Sequence, residues 1–229
     1  MASASPSPSF TITPLIPPQY PSAFTLADTC FAALDTLLFT SYPPSPTSIK
    51  TRTQSRIRRL SQQNPPPRMF KALDTETRQI IRIAHWTIHE SDEEIVGASV
   101  PEMSRDAGRE FYTMVNENKR EVLRVDVPVR GVYGRKDVDI VKMCARVELE
   151  TVFVHPGYRR RGVVSALLEW GIARAERLGL PVYLEATEEE TPLYERRGFA
   201  VVTEVRFDAA EFGGQGWCEY TACSSLECV

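Results

Sequence analysis

Several signals that would place a chain outside the ordinary folded interior of a cell are missing from these 229 residues. The opening Met1-Ala-Ser-Ala-Ser-Pro-Ser-Pro-Ser stretch has neither a charged n-region nor an apolar h-region. Nowhere does an apolar run approach the roughly 20 residues needed to span a bilayer. The expectation is an intracellular protein, cytoplasmic rather than nuclear, with no membrane partner. An excess of charge of one sign is also lacking: 27 Lys and Arg stand against 30 Asp and Glu, for a net charge of −3. No polyanion-binding surface is implied, so nucleic acid is not expected as a partner. Cysteine pairs of the Cys-x-x-Cys type are absent. The five cysteines are an odd number in a chain without a secretion signal, so reduced thiols are expected. Cys218, Cys223 and Cys228 recur at intervals of five without a paired Cys-x-x-Cys or His, which fits no common zinc pattern. His85 and His89 share a face with each other but have no third ligand in view, and no metal is expected. Internal repeats are absent as well.

What is present is the composition of a folded domain, 42% hydrophobic and 25% charged. A chain of this length can bury roughly 70% of its unfolded surface in one domain. Twelve of the 17 prolines fall in the first 67 residues, so that third should be built of short pieces. Residues 1–9 are expected to be flexible. Phe10 to Ile16 reads as a strand, Ser22 to Phe39 as a helix ended by Pro43 and Pro44, and Ser48 to Gln63 as a second helix. The arginines at 52, 56, 58 and 59 in that second helix read as a solvated face. Met69 to Leu73 and Gln79 to His89 read as an antiparallel hairpin across Asp74-Thr-Glu-Thr. A charged stretch from Glu90 to Lys142 contains one helical pattern, Asp106 to Leu123, and interrupts the run of strands.

Strand signals return from Val147 to Val154. A helix follows from Gly162 to Leu178, with Gly179 and Pro181 as its stop, and then a strand from Val182 to Thr187. A short helix around Pro192 to Arg197 leads to Gly198, a strand runs from Ala200 to Phe207, and Trp217 to Leu226 is read as a closing strand. Gly213-Gly-Gln-Gly lacks the β-α setting of a phosphate loop and reads as a flexible turn.

The chemistry concentrates at Val152-Phe-Val-His-Pro-Gly-Tyr-Arg-Arg-Arg-Gly-Val-Val, where a strand gives way to a basic loop and a helix start. The first helical N–H groups have no intrahelical partner and the macrodipole is positive there, so such a junction binds anions. The fragment resembles the GNAT acyltransferases, whose cofactor loop has the form Arg/Gln-x-x-Gly-x-Gly/Ala; Arg159, Gly162 and Val164 occupy those places. Leu184-Glu-Ala-Thr and then Pro-Leu-Tyr194-Glu-Arg-Arg-Gly198-Phe199 are similar to the family's next strand and its Tyr-x-x-x-Gly-Phe helix. The wording of the 166–186 region is particularly similar to a group of fungal GNAT proteins.

The resemblance implies an α/β (α+β) fold: a mixed, mostly antiparallel central sheet flanked by helices, with a splayed strand pair at the cofactor site. It implies one acyltransferase domain over 10–229 with an insertion at about 90–142, and a cofactor site carried by Val147 to Phe199. Acetyl-CoA is the implied donor, its pyrophosphate on Arg159, Arg160, Arg161, Gly162, Val163 and Val164 and its pantetheine arm along Phe153 and Val154. A β-branched Val164 stands where the family prefers Gly or Ala. Tyr194 is the implied acid for the departing thiolate. An attacking amine must be neutral, which calls for a base, and Glu148 and Glu150 lie on one face of the strand before the cofactor loop. His155 reads as an exposed loop residue. The implied reaction is acetyl transfer to a small-molecule, peptide or protein amine; the alternative is a non-catalytic CoA-binding or interaction protein on the same fold.

Overall fold

The computed structural model describes residues 10–31, 45–96, 106–125, 140–158, 163–213 and 216–225. The proline-rich first third still forms regular elements: β1 (Phe10–Pro14), α1 (Tyr20–Cys30) and α2 (Pro46–Gln62). Pro21 lies in the first turn of α1, where a missing N–H leaves no bond unmade. That helix begins two residues before the expected Ser22 and ends at Cys30, while 32–44 lie outside the described residues. Two of the arginines expected on a solvated face are tied to the protein instead. Arg52 and Arg56 of α2 both reach Asp28 of α1, at 3.7 and 2.8 Å, and Arg56 lies over the Phe24 ring at 5.5 Å.

β2 (Arg68–Asp74) and β3 (Ile80–His89) form the expected hairpin. Asp74 closes it, its Oδ1 accepting from the N–H groups of Glu76 and Thr77 at 3.0 and 2.8 Å. After β3 the chain departs through β4 (Glu93–Val96), α3 (Asp106–Leu123) and β5 (Ile140–Met143). β4 and β5 pair with each other as a two-stranded sheet, and Met143 of β5 also bridges Arg124 after α3. α3 packs Phe111 against Phe207 and Tyr220, with ring centroids 5.5 and 5.0 Å away.

The chain rejoins the main sheet as β6 (Arg146–Val154), followed by α4 (Val163–Leu178) and β7 (Val182–Thr187). A Schellman turn ends α4. Gly179 takes φ +66°, and the Leu180 N–H reaches back to the Ala175 carbonyl at 3.1 Å. The short α5 (Thr191–Glu195) leads into β8 (Ala200–Asp208) and β9 (Trp217–Ser224). β9 does not close an edge; it lies between β7 and β8, bonded to both. Among the described residues the main sheet has seven strands in the order β1-β2-β3-β6-β7-β9-β8, of which only β6 and β7 run parallel. The fold is thus a mixed, mostly antiparallel open sheet flanked by helices.

α4 lays Leu167, Leu168 and Ala175 on a core of Trp86, Val147, Leu149, Val182, Leu184, Tyr194 and Phe199. Gly171 permits the contact, because a Cβ there would stand 2.2 Å from the Trp86 indole. On the opposite face α1 packs Ala23, Leu26 and Ala27 onto Met69, Ile83 and Phe153. Among the described residues no helix is long and apolar enough to cross a membrane. Cys30, Cys218 and Cys223 are free thiols as expected, but Cys144 is disulfide-bonded. Isolation in sequence is no measure of isolation in space, and that is why the reduced-thiol expectation fails there.

Candidate active site

The one parallel pair is also the shortest: Val147, Glu148 and Leu149 face Val182, Tyr183 and Leu184. β6 continues to Val154 and β7 to Thr187, so the strands fork after Leu149 and Leu184. Glu150 and Glu185 are the first residue past the fork on each strand. β6 bulges at this point: Leu149 faces Trp86 and Thr151 faces His85 on β3, leaving Glu150 without an opposite residue. A forked pair with a bulge at its crotch leaves backbone groups and space that a continuous ladder would consume.

One side of the fork is polar and ionised. Glu148 is buried. Its Oε1 accepts from Lys119 Nζ of α3, and its Oε2 accepts from Arg146 Nε and Nη2 at 2.9 and 2.8 Å. His89 Nε2 stands 3.6 Å from the same Oε2. Burial alone would raise the Glu148 pKa; Lys119 and Arg146 outweigh it and hold the carboxyl below the usual range. The opposite holds for Glu150, whose pKa burial and the neighbouring Glu148 charge push up, while Lys119 and a 3.1 Å hydrogen bond from Thr87 Oγ1 work the other way. Glu150 is nonetheless exposed to solvent, which tempers that rise. Glu185 is half-buried and accepts a 2.9 Å hydrogen bond from the Tyr183 hydroxyl. Burial pushes its pKa up to about 7, against the pull of Lys119. These carboxylates therefore differ: Glu148 is held as an anion, Glu185 remains open to a proton near neutrality, and Glu150 is shifted in the same direction as Glu185.

The same cluster revises the expectation for the histidines. His89, Glu148 and Glu150 bring ligand atoms within 4.8 Å of one another, a proximity that neighbouring positions in sequence did not reveal. Both Glu148 oxygens are already taken by cationic side chains, however, and a metal ion would meet those fixed positive charges. His85 is kept neutral, its pKa lowered by burial to about 4.

The other side of the fork carries Tyr194, on α5. It is 1% exposed, its ring set edge-on to Phe199 at 6.0 Å, and burial pushes its pKa up so that it stays a protonated phenol. Gly198, at φ +85°, turns the chain out of α5 and sends Phe199 into the core. Val164, the departure in the cofactor motif, is half-buried and packs on the same core. Phe153 is buried under α1, and Val154 is half-buried at the end of β6. His155 is half-buried rather than exposed: its Nδ1 accepts the Gly157 N–H at 3.1 Å and its ring meets Tyr158 edge-on. Arg159, Arg160, Arg161 and Gly162 lie outside the described residues, as do the side chain of Val163, Cys228 and the centre of the Gly213 turn.

Glu148 and Glu150 thus stand together on one face of β6, while Tyr194 is buried in the core on the other face of the sheet; further charged residues stand beside the two glutamates. Glu185 is one; a glutamate inside an otherwise apolar parallel strand, Val182-Tyr-Leu-Glu-Ala, was the available signal. Lys119 is another, and no local pattern in the charged α3 marks it.

The family model described as the Acetyltransferase (GNAT) family matches residues 55–199, from within α2 through β6, α4, β7 and α5. Among solved structures, a protein described as histone acetyltransferase HPA2 and related acetyltransferase, from Corynebacterium glutamicum, is 21% identical, with 96% of this chain and 98% of that one covered and a TM-score of 0.54. A candidate phosphinothricin N-acetyltransferase is 15% identical, with coverage of 96% and 99% and a TM-score of 0.52. A candidate acetyltransferase from Salmonella typhimurium, solved with its cofactor acetyl-CoA, is 14% identical, with coverage of 96% and 95% and a TM-score of 0.51. At such identities the structures attest to the fold, whereas the family match spans well over half of the chain and takes in the whole fork. The protein belongs to the GNAT acetyltransferase family.

Proposed function

We propose that the protein is an N-acetyltransferase that moves an acetyl group from acetyl-CoA to a primary amine by direct attack in a ternary complex. The observation that carries this reading is the fork itself, with proton acceptors at its crotch on one side and a buried phenol on the other. Acetyl-CoA supplies an activated thioester, whose C–S bond breaks as the new N–C bond forms and whose sulfur leaves with the electron pair.

The residues divide that work. Glu150 and Glu185 attract an ammonium to the polar side and take its proton, Glu185 being the better matched to neutral pH. Glu148, saturated by Lys119 and Arg146, is the weaker base of the two carboxylates in β6 and fixes the charge balance of the cluster. Tyr194 gives a proton to the sulfur, a role that needs a hydroxyl in place rather than a strongly lowered pKa. The first turn of α4, with 159–164, serves the pyrophosphate, and the edge of β6 on the β7 side, past the fork at Phe153 and Val154, serves the pantetheine amides. Residues 10–229 act as one domain in this reading, and about 90–142 form an insertion whose helix α3 contributes Lys119. The acceptor is a small-molecule amine or a peptide or protein amine.

The test is a panel of amines offered with acetyl-CoA: polyamines, amino acids, lysine side chains and peptide N-termini, with released thiol followed by a colorimetric reagent. Thiol release that depends on one acceptor class is expected. Release from no amine above the hydrolytic background would reject the catalytic reading and leave a CoA-binding or interaction protein on this fold.

A further inference from the structure

Arg82 of β3 is buried to 2% exposure in the middle of the sheet, and its Nε and Nη1 have no hydrogen-bond partner. No described carboxylate forms an ion pair with it. An isolated buried guanidinium costs several kcal/mol unless an anion compensates it, so this side chain is a positive charge held ready for something. Its place in the fold says where. Arg82 stands opposite Val154 at the end of β6 and, by the alternation of β3, on the face of Ala84 and Trp86 rather than that of the Glu148 cluster. The groups within its electrostatic reach are Glu190 at the N-cap of α5, Tyr194 within α5 and Cys30 from α1. Glu190 is exposed to solvent. Cys30 donates its thiol hydrogen to the Val154 carbonyl at 3.1 Å, and Cys223 of β9 completes the titratable groups around Tyr194. Burial brings the Arg82 pKa down to about 10, with those neighbours opposing the fall, so the guanidinium remains charged at neutral pH.

Taking the acetyltransferase reading as its basis, we propose that Arg82 is the counter-ion of the CoA thiolate, facing the sulfur from the β3 side while Tyr194 faces it from α5. Depth selects this anion. A pyrophosphate on the first turn of α4 would be met near the surface, and an acceptor carboxylate would enter from the Glu148 side, on the other face of the sheet. The anion that a buried Arg82 can share with the buried Tyr194 hydroxyl is one that develops inside the fork. As the N–C bond forms and the C–S bond breaks, the electron pair arrives on sulfur; Arg82 stabilises that charge until the Tyr194 proton neutralises it.

The experiment measures equilibrium binding of CoA and of acetyl-CoA to the wild-type protein and to Arg82→Met and Arg82→Lys, by calorimetry between pH 7 and pH 9. Only CoA carries a thiol that can ionise, so acetyl-CoA reports every other contact. In the wild type, CoA affinity should gain on acetyl-CoA by about tenfold or more as pH rises, because the bound thiolate is favoured by the guanidinium. Arg82→Met should abolish that gain, and Arg82→Lys should keep part of it. The wild-type measurement stands by itself if the variants do not fold. A CoA to acetyl-CoA ratio that is flat with pH in the wild type overturns the proposal, and so does an Arg82→Met variant that weakens both ligands equally, which would assign Arg82 to the phosphates or the pantetheine arm. Binding of neither ligand to the wild type would overturn the acetyltransferase reading itself.

Discussion

Glu185→Gln separates the chemistry of the fork from its stability. Burial raises the Glu185 carboxyl to about 7, whereas an unfolded chain would restore an ordinary glutamate near 4.3. The folded state therefore binds this proton more tightly than the unfolded state does. Stability contributed by the protonated carboxyl is fully present at low pH and is lost as pH rises from about 4.3 to about 7. A rise of that size corresponds to roughly 4 kcal/mol at about 1.4 kcal/mol per pH unit, and solvent at the half-buried side chain reduces the expectation to about 1–3 kcal/mol. Gln cannot ionise, yet it keeps an oxygen for the Tyr183 hydroxyl that now lies 2.9 Å away. Melting curves should show Glu185→Gln more stable than wild type at pH 8, by several °C for a domain of this size, and equal to it near pH 4. If Glu185 is the base, acetyl transfer at saturating acceptor should fall by about 10²-fold or more, and the rise of rate with pH near 7 should disappear. A variant no more stable than wild type at pH 8 would refute the claim that the fork suppresses ionisation of this carboxylate. A variant with full activity and an unchanged pH profile would move the base to Glu150.

Tyr194→Phe retains the ring and its contact with Phe199, so folding and CoA binding should change little, while single-turnover acetyl transfer should fall by about 10²-fold or more; an unchanged chemical rate would remove the hydroxyl from the reaction. Lys119→Met leaves the buried Glu148 with one strong cationic partner fewer and should destabilise the protein by about 3–5 kcal/mol in chemical denaturation, an effect that Lys119→Arg should partly spare. Gly171→Ala places a Cβ within 2.2 Å of an indole that is 0% exposed. The clash should cost about 1–3 kcal/mol, exceeding the roughly 1 kcal/mol gained from a better helix former, so a rise in melting temperature would show that Trp86 can move aside.

The legible parts of this protein were those whose physics is local. The stripe of α4, its Gly179 stop and the hairpin of β2 and β3 around its turn each follow from neighbours within a few residues, and the strand Val182–Thr187 was read to its bounds. β4 and β5 were not legible, because four residues each in a charged stretch carry too little pattern to stand out. The position of β9 between β7 and β8 follows from pairing across the sheet, which no window along the chain contains. The site divides in the same way. Glu148, Glu150 and Tyr194 were singled out by strand period and motif. Lys119, Glu185 and Arg82 come from three elements separated by dozens of residues, and what marks them is burial among opposing or missing charges, a property of the folded chain alone.

Ligand-induced protection against thermal unfolding tests most directly whether the β6–β7 fork and the first turn of α4 hold acetyl-CoA. A ligand present at 100 times its dissociation constant should add about 2.7 kcal/mol to the stability of a protein that binds it only when folded, an upward shift of several °C that grows with ligand concentration. A melting temperature that does not move at millimolar acetyl-CoA would contradict the account.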